Sequence, residues 1–214
     1  MYIEDLGMIP FEHAWQKQKQ AVSEVIEDGE ERIFVCEHPA VLTLGRSSSR
    51  KNLLVPLEDL EEKNIRVVEV DRGGDVTLHA PGQIVLYPVV DLSRRGRDLH
   101  KYLTQLEQVG IDFLRSFGIV SLRVPGKTGV WVENRKAIAI GIGVRKWVAY
   151  HGMGVNVKTD LKLFSLIRPC GLDEGVTSLE QCLGRPVDMP KAKERLGEIV
   201  LEHFLNPGFS RSCH

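Results

Sequence analysis

The sequence predicts an α+β fold, a mixed and largely antiparallel sheet flanked by helices. Two stretches, Phe11–Asp28 and Leu99–Phe117, repeat apolar residues at helical spacing. Between and beyond them, short β-branched runs follow one another through turns, the pattern of hairpins rather than of βαβ units. No internal repeat, linker or low-complexity tract divides the chain, so residues 1–205 read as one domain and 206–214 as a flexible tail.

Taken in order, Phe11, Ala14, Trp15, Val22, Val25 and Ile26 form the stripe of the first helix, which Gly29 stops. Arg32–Glu37 and Val41–Leu44 are strands broken by His38-Pro39, and Ser47–Lys51 is a polar loop. Pro56–Lys63 is a short helix and Arg66–Val70 a strand. A glycine-punctuated stretch from Arg72 to Gln83 then leads into the buried strand Ile84–Asp91. The second long helix turns Leu99, Tyr102, Leu103, Leu106, Val109, Phe113 and Leu114 inward. Three strands follow: Gly129–Glu133, then Lys136–Val144 across a turn at Asn134-Arg135, then Trp147–Val157. Leu161–Leu166 is one helical turn. Ser178-Leu179-Glu180-Gln181 fits a capping box, and Pro190–Leu205 forms a last helix that opens on proline.

Composition excludes several classes. With 28 Lys+Arg against 29 Asp+Glu in 214 residues, nothing draws the chain as a whole to nucleic acid or a membrane. The start has no basic segment leading into an apolar one, and the apolar runs Ile84–Val90 and Ala137–Val144 are too short to span a bilayer. Cys36, Cys170, Cys182 and Cys213 are scattered without a Cys-x-x-Cys pair, which argues for a reducing, cytoplasmic setting and against a zinc finger.

The strand Lys136–Val144 carries the first chemical signal. Period-two alternation puts Ile138, Ile140, Ile142 and Val144 on one face, and Ala137, Ala139, Gly141 and Gly143 on the other. A face of small residues admits either a closely packed helix or a long apolar ligand. Lys136 opens the strand on the isoleucine side, where partial desolvation favours the neutral amine and suits it to act as a base. The second signal is Cys170, framed by Pro169 and Gly171. An unperturbed thiol, with a pKa near 8.5, is only about 3% thiolate at pH 7. Lowering that pKa by roughly two units, worth about 2.7 kcal/mol, makes the thiolate dominant. Such a shift needs a partner, and Lys136, His79 and His151 are the candidates. Glycine-rich turns around His79 and His151 free backbone amides to face a ligand. Arg72-Gly73-Gly74 lacks the spacing of a phosphate loop.

Together these motifs resemble the lipoyl-protein octanoyltransferases. The resemblance rests on Arg72-Gly73-Gly74-x-Val76-Thr77-x-His79-x-Pro81-Gly82-Gln83, Gly129-Val130-Trp131-Val132, Lys136 with Ala139-Ile140-Gly141, His151-Gly152, Asn156-Val157 and Pro169-Cys170-Gly171, in order from about residue 2 to about residue 205. It implies the fold of biotin- and lipoate-protein ligases and a single acyltransferase domain. It further implies transfer of an octanoyl group from acyl carrier protein to a lysine of a lipoyl domain, as in 2-oxoacid dehydrogenase complexes or the glycine cleavage H protein. The nucleophile then matches Cys170 and the lysine that lowers its pKa matches Lys136. The acyl-binding stretches match Arg72, Gly73, Gly74, Asp75, Val76, Thr77, Leu78 and His79; Ala139, Ile140 and Gly141; and Gly152, Met153 and Gly154, with His151 orienting the acyl group. Leu78 departs from the aromatic residue usual at its position, and Ala80 from glycine.

The expected reaction is a two-step transfer through a Cys170 thioester, with Lys136 as general base and no metal or nucleotide cofactor. Local basic loops, Arg94-Arg95-Gly96-Arg97, Arg46 to Lys51 and Arg145-Lys146, are candidate docking points for acidic partners. Three rivals differ in kind. An ATP-dependent lipoate or biotin ligase on the same fold forms an adenylate and no covalent enzyme adduct. A non-catalytic partner of lipoyl domains binds them without turnover. A zinc hydrolase uses His79, His151 and Cys170 as ligands.

Overall fold

A computed structural model of the protein describes residues 1–168 and 175–205. The chain runs β1 (Tyr2–Met8), α1 (Phe11–Ile26), β2 (Arg32–Glu37), β3 (Val41–Leu44), α2 (Leu57–Glu62), β4 (Arg66–Glu69), β5 (Val76–His79), β6 (Gln83–Asp91) and α3 (Leu99–Ser116). It continues β7 (Leu122–Val124), β8 (Lys127–Val132), β9 (Arg135–Arg145), β10 (Val148–Asn156), α4 (Leu179–Leu183) and α5 (Met189–Leu205). A short 3-10 turn covers Leu161–Leu166.

The main sheet has seven strands in the order β1-β2-β6-β10-β9-β8-β7, and a second sheet has three in the order β4-β3-β5. Each holds one parallel pair, β1 with β2 and β3 with β4; the other pairings are antiparallel. The mixed α+β expectation holds.

Alternation along β6 explains why the main sheet carries helices on both faces. Ile84, Leu86 and Val90 join the core beneath α3 and α5, while Val85, Tyr87 and Val89 join the core beneath α1. Each large apolar side chain fully withdrawn from water contributes about 1.5–3 kcal/mol. The small sheet has its own core of Leu42, Leu44, Leu60, Ile65, Val76 and Leu78, closed by Phe164, Leu166 and Ile167.

Differences from expectation are local. β1, β5 and β7 were not foreseen: β1 is an edge strand with weak alternation, β5 lies hidden in the glycine-punctuated stretch, and β7 is only three residues long. The β8–β9 turn is Glu133-Asn134, one residue earlier than predicted, and Glu133 adopts a left-handed φ of 53°. In the capping box, Ser178 Oγ accepts from the Gln181 amide at 3.2 Å, but the Gln181 side chain accepts from Thr177 Oγ1 rather than reaching back to Ser178. The residues read as a tail, 206–214, lie outside the described residues, as do Pro169, Cys170 and Gly171.

Candidate active site

A groove runs between strands β9 and β10 and the segment that leads into β5. It is lined by Arg72, Gly74, Asp75, Val76, Thr77 and His79 on one wall. The other wall is Lys136, Ala139, Ile140, Gly141, His151, Gly152, Met153 and Gly154, and Phe11 and Tyr87 close it from the α1 side. With the side chains as they stand, the free volume is about 50 Å³. Sites for small molecules enclose ~300–1,000 Å³, so a ligand of any length must part the walls.

Lys136 reaches this groove through a fault in the sheet. Val130 pairs with Ile138, but the next residue, Trp131, pairs with Lys136, so Ala137 is an extra residue on β9. One inserted residue reverses the alternation. Val130 and Ile138 therefore face the core beneath α3, whereas Lys136 turns to the face of Ala139 and Gly141. The expectation that Lys136 shares the isoleucine face is thus corrected. Its ammonium lies over the Trp131 ring, 4.9 Å from the centroid, and the residue is 7% exposed. Gly129, beside the stem, lets β8 approach β9 closely, because a Cβ there would stand 2.6 Å from the Ile138 carbonyl oxygen. On its outer edge the Lys136 backbone is held from both sides. Its amide donates to the Gly175 carbonyl at 3.0 Å, and its carbonyl accepts from the Thr177 amide at 3.0 Å.

The facing wall is pinned by Arg72. Its guanidinium donates to Thr43 Oγ1, to the Thr43 carbonyl at 2.7 Å and to the Gly73 carbonyl at 3.0 Å. The Gly73 amide donates to the Ile142 carbonyl at 2.7 Å, which ties this wall to β9. Gly141 is where the two walls touch: a Cβ there would lie 3.1 Å from the Gly73 carbonyl oxygen and 3.2 Å from Arg72 Cδ. Asp75 accepts from the Val76 amide at 2.7 Å and from the Asn52 side chain, while the Asn52 carbonyl accepts from the Arg168 amide at 2.8 Å.

Two histidines enter the groove, each fixed differently. His79 Nδ1 hydrogen-bonds Gln83 Oε1 at 2.7 Å, and Phe11 stacks on its ring. Burial, together with the nearby His38 charge, pushes its pKa down to about 3. His151 sits where the sheet is broken. Pro88 in β6 has no N–H to donate, and the β6–β10 pairing skips from Ala149–Val90 to Met153–Leu86. In that gap His151 takes a φ of 57°, and its amide donates instead to Gln18 Oε1 on α1 at 2.8 Å. Its Nε2 meets Asp71 Oδ1 at 2.9 Å, and Tyr150 donates to the other Asp71 oxygen at 2.5 Å. Burial alone would raise the Asp71 pKa; the hydrogen bonds from His151 and Tyr150 outweigh it and hold the carboxyl well below the usual range. Burial also lowers the His151 pKa, opposed by Asp71.

Of the residues singled out from sequence, Leu78 and Gly73 do not line the groove. Leu78 is buried in the small-sheet core opposite Leu42, and Gly73 serves as the bridge to β9. Val76 and Met153 bury their side chains in the cores on either side. Cys170 lies outside the described residues. Of the basic loops, Arg95 is committed to Glu31, and Arg94 to Asp28 and Asp91, each at 3.0 Å. Sequence reasoning missed Phe11, Tyr87, Gln18 and Asp71. Gln18 carried a signal, a polar residue within the apolar stripe of α1, where it is fully buried. Among the described residues no cluster of His, Cys, Asp and Glu is arranged to hold a metal ion, and no helix is long and apolar enough to cross a membrane.

Residues 10–201 match the lipoyl protein ligase A/B catalytic domain, and the chain belongs to that family. Within it, the chain groups with acyltransferases. An octanoyltransferase of Geobacter metallireducens is 47% identical over 191 residues, 88% of this chain and 86% of that protein. One from Bacteroides fragilis is 42% identical over 214 residues, 94% and 97%. Among solved structures, lipoate-protein ligase A bound with ATP superimposes with a TM-score of 0.72 at 17% identity, covering 94% of this chain and 85% of that one. A bipartite lipoate protein ligase from Thermoplasma acidophilum, described with its E2 lipoyl domain, gives 0.66 at 15% identity, covering 94% and 82%. Those two likenesses establish the lipoate-protein-ligase fold.

Proposed function

We propose that the protein transfers an octanoyl group from acyl carrier protein to a lysine of a lipoyl domain in the cytoplasm, through a thioester on Cys170. Lys136 takes the thiol proton, and the thiolate attacks the donor thioester. The carrier thiolate leaves and receives the proton from Lys136. In the second half, the acceptor amine attacks the octanoyl-Cys170 carbonyl. A C–N bond forms, the C–S bond breaks with its electron pair on sulfur, and the amine proton passes through Lys136 to the cysteine. No nucleotide or metal enters the reaction.

One observation carries this reading: the described residues on either side of Cys170 in the sequence bond to the groove. Gly175 and Thr177, just after it, bond both sides of the Lys136 backbone, and Arg168, just before it, bonds Asn52 against Asp75. The small-faced strands supply a smooth bed for an alkyl chain, and the relatives' names supply its identity as octanoyl.

The test is an intact mass spectrum after incubation with octanoyl-acyl carrier protein. An adduct on Cys170 is expected, removed by hydroxylamine and absent in Cys170→Ser; active protein without one refutes the mechanism. Lys136→Met is expected to acylate far more slowly near neutral pH, with the deficit shrinking as pH rises and the thiol ionises unaided. A pH-independent defect would make Lys136 structural. Dependence on ATP, with an adenylate and no adduct, would identify the ligase reaction instead.

A further inference from the structure

The direction of a buried hydrogen-bond chain fixes which nitrogen of His79 carries its proton. The chain starts from backbone carbonyls, which can only accept. Asn156 Nδ2 donates to the Thr177 carbonyl at 3.1 Å, so the Asn156 amide has one orientation and turns Oδ1 toward Gln83. Gln83 Nε2 then donates to Asn156 Oδ1 at 2.9 Å and to the Leu78 carbonyl at 3.2 Å, so its Oε1 faces His79 Nδ1 at 2.7 Å. An oxygen there requires a proton on Nδ1. Gln83, Asn156 and Thr177 are all buried, so reversing any link would leave two like groups facing each other away from water. The same Thr177 holds the Lys136 carbonyl through its amide. One network thus connects the clamp on Lys136 to the histidine across the groove.

We infer that Gln83 and Asn156 are positioning residues that hold His79 in the Nδ1–H form, so that its bare Nε2 accepts a hydrogen bond from the amine of the incoming lysine. The inference rests on the reaction proposed above. It has two consequences for that reaction. His79 is no donor to the oxyanion, which falls to backbone amides. Nor does it take the amine's proton: with a pKa near 3 it is too weak a base, so it orients the amine while the proton passes to Lys136. Three of the groups around it act in the same sense. His38, Arg72 and His151 all oppose a charge on His79, and Tyr87, Asp75 and Lys136 share the groove lining.

The direct test is the nitrogen NMR spectrum of the full-length protein labelled at histidine. His79 is expected to show a protonated Nδ1 and a bare Nε2 from pH 8 down to pH 5; a proton on Nε2, or an imidazolium at pH 7, overturns the inference. The functional test is Gln83→Glu, which sets a carboxylate against Nδ1 and raises the His79 pKa. Transfer from preformed octanoyl-enzyme to a lipoyl domain should then slow at least tenfold between pH 8 and pH 6, relative to wild type. Formation of the octanoyl-enzyme should keep its wild-type pH dependence within twofold. Equal slowing of both steps refutes the assignment to the amine. The NMR measurement needs no variant, so it still decides the matter if Gln83→Glu does not fold. Absence of a Cys170 adduct in wild type refutes the proposed reaction and leaves the tautomer result standing on its own.

Discussion

Ala139→Leu tests whether the small face of β9 is the bed of the acyl chain. Ala139 lies between Lys136 and Gly141, on the groove face to which the Ala137 bulge turns Lys136, and pairs across with Gly154. Gly141, where Arg72 closes the groove, is two residues further on, roughly 7 Å at strand spacing. A chain entering past Lys136 must lay its middle carbons over Ala139. Leucine adds three carbons at that point and displaces two to three methylenes of the ligand. At about 0.8 kcal/mol per buried methylene the loss is about 1.6–2.4 kcal/mol, which is roughly 15–60-fold in rate at 1.36 kcal/mol per decade. A four-carbon chain stops short of the obstruction and should lose less than about threefold, about 0.65 kcal/mol on the same scale. The assay compares initial rates of enzyme acylation from butyryl-, hexanoyl- and octanoyl-acyl carrier protein, followed by intact mass. A graded loss, steepest for octanoyl, is expected. An equal loss at every length, or none, would show that the chain does not run along this face.

Two further outcomes follow from packing and from titration. Gly152→Ala would put a Cβ 2.3 Å from the Leu86 carbonyl oxygen and 2.8 Å from Pro88 Cδ, a clash with rigid neighbours costing about 1–3 kcal/mol. The melting temperature should fall by about 2–12 °C, and an unchanged melt would mean the strands have room to part. Acidification should also destabilise the wild type. The folded-state pKa of His79 is lowered to about 3 by burial and by the His38 charge, below the value near 6.5 of the unfolded chain. The unfolded state therefore binds the proton first. Stability is full above about pH 6.5 and is lost toward about pH 3, at up to about 1.4 kcal/mol per pH unit. His38 and His151 are shifted in the same direction. Melts between pH 8 and pH 5 should decline, and less steeply in His79→Gln; a flat or rising curve refutes the assignment.

What was legible in the sequence was whatever local periodicity encodes. The stripes of α1 and α3 and the continuous apolar run of β6 mapped onto observed elements within a few residues, because burial dictates them directly. The segments that line the groove were named through the family resemblance; from the residues alone, the glycine- and histidine-bearing turns could equally have been structural. The side on which Lys136 falls was not legible. It depends on one unpaired residue, Ala137, and a bulge is set by how β9 meets β8 and the Val176 segment, not by the residues of β9 alone. Asp71 and Tyr87 were invisible for the same reason, since their partners lie far along the chain, and Gln18 showed only as a polar break in the α1 stripe, with its partner His151 equally remote.

Lys136 and His151 both enter the β9–β10 wall of the candidate site because regular sheet geometry fails at two places, and each failure has a chemical cause. At Ala137 an inserted residue rotates Lys136 out of the α3 core and into the groove. At Pro88 a missing donor opens the ladder, so that His151 adopts a left-handed φ and turns its ring to Asp71. A left-handed non-glycine residue costs of order 1–3 kcal/mol, and the Gln18 acceptor beneath it, held by the packed stripe of α1, offsets part of that cost. The two faults lie at opposite ends of a stretch of Ala and Gly on adjoining strands, which separates Lys136 from His151 by an apolar floor. Chain-length selection and reactivity would then be adjustable separately. Under the proposed reaction, a substitution at the Pro88 end would change the polar group at the far end of that floor, and one at the Ala137 end would change the lysine, with the strands between them left intact.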